Sequence, residues 1–199
     1  MTRSLPLIAV AGLLLGCGAS APVRYYSLPA LPADDGGGAA DGPALAVGPL
    51  RIAEYLDRPQ IVRLGPGAAA QVDEYARWIE PLDDGVPRVL AANLAALLPE
   101  LVVVAYPYGS GLQPDYRLTG RLNRLDCDAD GRAWLEIQWV LRHSGDEAPR
   151  LGPAAAHYSG PCPRNAGPAA VAEALGQRLA EFSRDLAARL RAAGIAAAH

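Results

Sequence analysis

Three cysteines, a run of aspartates and three histidines are the residues of this 199-residue chain whose types invite chemistry. Cys17 closes the stretch Leu14-Leu15-Gly16-Cys17, which resembles a bacterial lipobox. In that motif a small residue fills the cleavage pocket and the thiol after it carries diacylglycerol. Gly16 meets the first demand, and a cysteine directly after an apolar run is uncommon in other signal peptides. The chemistry expected at Cys17 is therefore lipidation. Cys127 and Cys162 remain as an even pair, which in an oxidising compartment suggests a disulfide over two free thiols. Asp126, Asp128, Asp130 and Gly131 spell D-x-D-x-D-G, the first half of a calcium loop. The twelfth position, which calls for Glu, is Ile137, and the flanks alternate like strands. Carboxylates solvated around a hairpin turn are expected there, with no metal. His143, His157 and His199 show no zinc-ligand spacing. No serine stands in a G-x-S-x-G elbow, and Gly109-Ser110-Gly111 reads as a loop tip. The glycines at 36–38 open no helix that could cradle phosphate. The expectation is a protein without cofactor or catalytic site, not an enzyme.

Composition narrows the classes further. Apolar residues make 51% and charged residues 20%, an ordinary globular balance. The net charge of −3 gives no reason to expect nucleic acid as partner. All 18 basic residues are arginine, which removes Schiff-base and phosphate-loop lysine chemistry. Arg3 followed by the apolar Leu5–Leu15 suits a secretory signal and falls short of the roughly 20 residues that span a bilayer. The expected organisation is a signal peptide over 1–16, a lipidated tether over 17–24 and a single periplasmic α+β domain over 25–199. Gly18, rather than Asp, stands second in the mature chain. By the known sorting rule that directs the lipoprotein to the periplasmic leaflet of the outer membrane. Gly18 to Arg24 reaches at most about 25 Å, so the domain stays close to its membrane.

The elements that must position any site follow from periodicity. Strands are expected over 24–28, over 45–52 with a bulge or bend at Gly48-Pro49, and over 60–64 and 71–79 around a turn at 65–67. Ala53–Arg58 reads as a short helical turn stopped by Pro59. A first helix is expected from about Asp84 to Leu98, capped by Asp83 or Asp84 with Pro87 in its first turn. An apolar strand follows over 101–106. Tyr116, Leu118, Gly120 and Leu122 alternate, then Leu125 and Cys127 continue on the other parity, which predicts a bulge near Asn123-Arg124. Ala133, Leu135, Ile137, Trp139 and Leu141 alternate with polar partners after a turn at Asp130-Gly131. That puts Trp139 in the core and Trp134 on the opposite face. Residues 154–160 return as an edge strand. A last helix from Pro168 stripes Val171, Leu175, Leu179, Phe182, Leu186 and Leu190 along one face, with Gly194 as C-cap. The sum is an α+β fold: an antiparallel-dominated sheet of about six strands with two long amphipathic helices packed on one face.

Four stretches carry a resemblance: RYYSLP at 24–29, VGPLRIAEYLDRPQIVR at 47–63, EYARWIEPLDDGVPRVLAANLAALLP at 74–99 and DYRLTGRLNRLDCDADGRAWLEIQW at 115–139. In order, and over most of the mature chain, they resemble the PqiC-type family of transport-associated lipoproteins. The Gly/Ala/Asp loop at 33–43 and the Gly-Pro-rich stretch at 145–168 depart from it. The resemblance implies an auxiliary outer-membrane lipoprotein whose partners are an MCE-domain periplasmic tunnel protein and its inner-membrane component. It also implies a link to intermembrane lipid transport and envelope integrity. A docking subunit for the conduit is one reading; a lipid-binding module that itself holds an acyl chain of a phospholipid is the other. A homo-oligomer stays open. As partner surface the residues themselves suggest Arg51, Tyr55, Asp57 and Arg58, on a turn after a strand, with Arg77 and Trp78 at the end of another. Loop ends carry function, and Arg, Tyr and Trp populate hot spots. The competing expectation is that Arg58 or Arg77 pairs with Asp57, Glu80, Asp83 or Asp84 merely to fix the loops.

Overall fold

The computed structural model describes residues 21–33, 41–67, 69–109, 111–165 and 167–196. The expected signal peptide, Cys17, Ser110, most of the 33–43 loop and His199 lie outside the described residues. In chain order the elements are β1 (Arg24–Tyr26), β2 (Ala44–Ile52), a 3-10 turn (Glu54–Leu56), β3 (Gln60–Leu64), β4 (Ala70–Trp78) and α1 (Leu82–Leu97). They continue with β5 (Val102–Ala105), β6 (Tyr116–Cys127), β7 (Arg132–His143), β8 (Leu151–Pro161) and α2 (Pro168–Ala192).

Among the described residues all eight strands join one sheet, and the sheet is mixed. This corrects the expected count of about six and the antiparallel-dominated pairing. β6–β7, β7–β8 and β3–β4 are antiparallel. β1–β4, β2–β5, β2–β6 and β3–β6 are parallel. The physical reason is connectivity. A hairpin turn makes antiparallel neighbours, whereas β2 reaches β5 and β6 only through long crossovers that include α1. The three- and four-residue strands β1 and β5 survive because they add to edges already built.

β7 pairs along almost all of β6 on one edge, so β2 and β3 must share the other. β2 runs beside Tyr116–Leu122 and β3 meets β6 only at Cys127. The two strands thus follow one line, interrupted by residues 53–59. The bulges fall where the sequence places them. Register shifts between Val47 and Leu50, where Gly48 takes φ 105°, and again between Leu122 and Arg124. The β6–β7 turn uses Gly131 at φ 82°, a conformation only glycine adopts freely.

Both helices lie on one face of the sheet, α1 over β2 and β5, α2 over β6, β7 and β8, and they touch each other. Every residue of the α2 stripe is buried, as are the odd positions Ala133–Leu141 of β7. Trp139, Phe182 and Tyr158 meet edge-on, with centroids 6.3 and 6.2 Å apart. Between the helices sits a polar pair that sequence periodicity does not reveal. Asn93 Nδ2 donates to Ser183 Oγ at 3.1 Å, both residues fully buried, and Asn93 Oδ1 accepts the Leu31 N–H at 2.7 Å. The segment after β1 is thereby strapped across the helices. α1 starts at Leu82, earlier than expected, with Pro81 rather than Asp83 or Asp84 at its cap. Pro87 consequently stands in the second turn, and the two aspartates favour the helix dipole from the first turn. Gly194, at φ 69°, follows the end of α2.

The structure joins Cys127, at the end of β6, to Cys162, just beyond β8, with Cα atoms 6.0 Å apart. The bridge ties the two outer strands of a three-strand unit across 35 residues of sequence. Cys127→Ser with Cys162→Ser should lower stability by roughly 3–4 kcal/mol, seen as a lower denaturant midpoint. Native mature protein should weigh two hydrogens less than its reduced form; two alkylatable thiols would refute the bridge.

Candidate functional site: the break between β2 and β3

Where the β2–β3 line breaks, the chain leaves the sheet and returns. The Ala53 N–H donates to Leu122 O at 2.9 Å, so the departure is still held against β6. Leu56 turns inward and is buried, plugging the gap. Pro59 restarts the line, and its carbonyl accepts the Trp78 N–H at 2.7 Å. The end of β4 is thereby clamped to the break. Between break and β4–α1 junction lies an open cleft of about 330 Å3, walled by Asp57, Arg58, Pro59, Trp78, Ile79 and Glu80 among others. Trp78, 6% exposed, forms its floor, and Ile79, 64% exposed, stands on its rim. The Ile79 N–H donates to Tyr26 O at 2.8 Å, so this rim residue is held by β1 rather than by a free loop.

The expectation that Arg58 or Arg77 pairs locally is not met. Glu80 is taken by Arg88, whose Nε donates at 2.9 Å. Asp57, Arg58 and Arg77 form no ion pair among the described residues. Arg77 is half-buried, and its Nε has no hydrogen-bond partner. Of the six suggested partner residues, the structure gathers Asp57, Arg58 and Trp78 at the cleft. Arg77, within β4, lies on the opposite face from Trp78. Arg51 is exposed on β2, on the sheet face away from the helices.

Tyr55 goes elsewhere, and its contact corrects the expectation of solvated carboxylates at 126–130. Asp126 is fully buried. Tyr55 Oη donates to its Oδ2 at 2.8 Å, and Arg124 pairs with its Oδ1 at 3.1 Å. Burial, then the Asp126 carboxylate, pushes the Tyr55 phenol well above its ordinary range. Arg124 lies over the Trp134 ring at 4.7 Å, and Trp134 Nε1 donates to Asp128 Oδ2 at 2.6 Å. Asp128 Oδ1 accepts the N–H groups of Asp130 and Arg132, both at 2.9 Å. Burial pushes the Asp128 carboxyl up, but these hydrogen bonds, Trp134 first, and the Arg124 charge outweigh it and hold it low. Asp130 is exposed and, among the described residues, its carboxylate pairs with Arg164 alone, at 3.8 Å. The three aspartates thus point to three different partners. The parity switch after the bulge was the signal for this network, since it turns Asp126 onto the same face as Trp134.

A family model for the ABC-type transport auxiliary lipoprotein component matches residues 26–187. The chain is 28% identical over 142 residues to the intermembrane transport lipoprotein PqiC of Escherichia coli (strain K12), covering 70% of this chain and 74% of that protein. The PqiC of Shigella flexneri matches at the same identity and coverage. A crystal structure of a protein from Xanthomonas campestris shares the fold with TM-score 0.64 at 22% identity, covering 86% of this chain and 96% of that one. A further crystal structure, of an uncharacterized protein, superposes with TM-score 0.69 at 23% identity over 85% of this chain and 99% of the other.

The network predicts two graded effects. Asp126→Ala strands Arg124 and Tyr55 together and should cost about 3 kcal/mol, against about 1 kcal/mol for Tyr55→Phe. Both are read from denaturant midpoints. The depressed Asp128 carboxyl contributes stability that is fully present above the ordinary aspartate range and lost as pH falls through its lowered value. Asp128→Asn should therefore flatten the acid limb of the stability profile below about pH 4; an unchanged acid limb would refute that role.

Proposed function

This chain belongs to the family of ABC-type transport auxiliary lipoprotein components, and from that membership we propose that it docks the end of a periplasmic conduit at the outer membrane. The family is one of transport components, not of enzymes. In this reading Cys17 carries the acyl anchor, and the periplasmic leaflet of the outer membrane is the site of residence. The partner is an MCE-domain tunnel protein working with an inner-membrane component in lipid transport that sustains the envelope.

The observation that carries the docking role is the cleft at the β2–β3 break. An exposed isoleucine stands beside an unpaired arginine, above a buried tryptophan floor, on a rim whose backbone is hydrogen-bonded on both sides. Such a rim is preorganised, and preorganisation lowers the ordering cost of binding. Arginine beside an apolar anchor is also hot-spot composition. Tyr55 and Leu56 support the break from below instead of meeting the partner. The alternative, a module that itself carries an acyl chain, needs a concave and largely apolar pocket. A cleft of about 440 Å3 between the β3–β4 hairpin and the start of α2 is open to solvent and, beside Ile61, Val72 and Val171, is edged by Arg63, Asp73 and Glu74. An open mouth with charged edges suits it poorly to enclosing an acyl chain.

Arg58→Glu with Ile79→Ser should abolish co-purification with a tagged MCE-domain partner while leaving the melting temperature within a degree or two (about 0.5 kcal/mol for exposed positions). Unaltered co-purification would remove the cleft from consideration. Cys17→Ser should leave the protein unlabelled by radioactive palmitate and out of the outer-membrane fraction; unchanged fractionation would sink the anchor.

A further inference from the structure

The face of the sheet turned away from the helices is basic, although the chain as a whole is acidic. Arg117, Arg121, Arg132 and Arg142 project from β6 and β7 on this face, and Arg51 projects from β2; all five are exposed. Register sets them in opposed pairs. Arg51 stands directly across from Arg121, and Arg117 directly across from Arg142. Like charges placed opposite one another on neighbouring strands destabilise a sheet. None of the five forms an ion pair with a carboxylate among the described residues. Arg117 Nη2 donates to the Tyr108 hydroxyl and Arg142 Nη1 to the Glu147 carbonyl, both neutral acceptors. Arg132 leans on the Trp134 ring at 5.5 Å. Arg51 and Arg121 have no hydrogen-bond or ion-pair partner among the described residues. On β6 and β7 this face carries two acids, buried Asp126, already spent on Arg124, and half-buried Glu136.

We propose that this arginine face is a phosphate-binding surface that lies on the phospholipid head groups of the membrane holding the protein. Guanidinium groups match phosphate oxygens two at a time, and an anionic leaflet relieves the repulsion built into the opposed pairs. The chain's own anchor makes that leaflet the nearest extended source of phosphate. Three residues separate Cys17 from the first described residue, Ala21, and β1 then sets Tyr25, 60% exposed, on the same side of the sheet as Arg77, opposite the core residues Ala76 and Trp78. Tyrosine at that place suits the head-group layer. The proposal rests on the anchored reading above for its choice of phosphate source.

The test uses the mature chain carrying Cys17→Ser, which has no anchor, so that only the face can hold it to lipid. At low ionic strength it should sediment with vesicles of equal parts phosphatidylethanolamine and phosphatidylglycerol, and not with phosphatidylcholine vesicles. Each arginine near an anionic surface contributes roughly fivefold, so Arg51→Ala with Arg121→Ala should weaken vesicle binding about 25-fold. The same variant should melt no lower than its parent, because it removes a repulsion. Arg184→Ala with Arg189→Ala, on the helix layer, should leave binding nearly intact. No sedimentation with anionic vesicles would overturn the proposal, as would equal loss from the helix-layer variant. Binding confined to an acidic protein such as the conduit would also overturn it. Intact mass of the unmutated protein reports acylation separately. Vesicle binding with a bare Cys17 would fault the anchor alone, and acylation without vesicle binding would fault the face alone.

Discussion

β6 has two edges, and the sheet is built by using both along their length. β7 occupies one edge from Tyr116 to Cys127. The other edge takes β2 first and β3 last, and the chain between them has nowhere in the sheet to go. It must bulge outward, turn once and come back. That forced excursion creates the break at 53–59, and the break creates the cleft. β4 pairs with β3, so the end of β4 arrives at the same place, bringing Trp78 and Ile79. A single strand thus fixes where an exposed apolar residue can be held rigidly without being buried.

The same strand separates charge from apolar surface. Alternation sends Leu118, Leu122 and Leu125 toward the helices and Arg117, Arg121 and Arg124 away from them. The bulge between Leu122 and Arg124 resets the parity and brings Asp126 to the outer side, where Tyr55 covers it. One carboxylate is thereby spent inside the fold, holding the break from beneath. The five exposed arginines of the outer face form no ion pair among the described residues. The proposed anchor, basic face and docking cleft are compatible in one molecule: in that reading the tether would deliver the chain to lipid, the sheet face would rest on it, and the β2–β3 break would present an edge to a partner.

Much of this was legible in the sequence because it is local. Alternation marked β6 and β7, spacing marked α2, and Gly48, Asn123-Arg124 and Gly131 marked two bulges and a turn. Pairing between distant strands was not legible as alternation, since a period of two says nothing about which strand lies alongside. A clue existed in β2 and β5. Their runs Ala44–Val47 and Val102–Ala105 are apolar on both parities, as parallel strands covered on both sides tend to be. The cleft was half visible. Trp78 ends β4 and Arg58 lies on the turn before Pro59, both local features of the sequence, whereas Ile79 gives no signal because an isolated isoleucine looks like core until its strand ends. Asp126 escaped because its partner, Tyr55, lies 71 residues away.

The β2–β3 break, with the junction it clamps, is the proposed surface that meets the conduit. Hydrogen–deuterium exchange on the acylated mature protein, with and without the purified MCE-domain partner, addresses it directly. New protection is expected at residues 53–60 and 77–82 alone, with the exposed side of α2 unchanged. Protection on α2 with none at the break would contradict it.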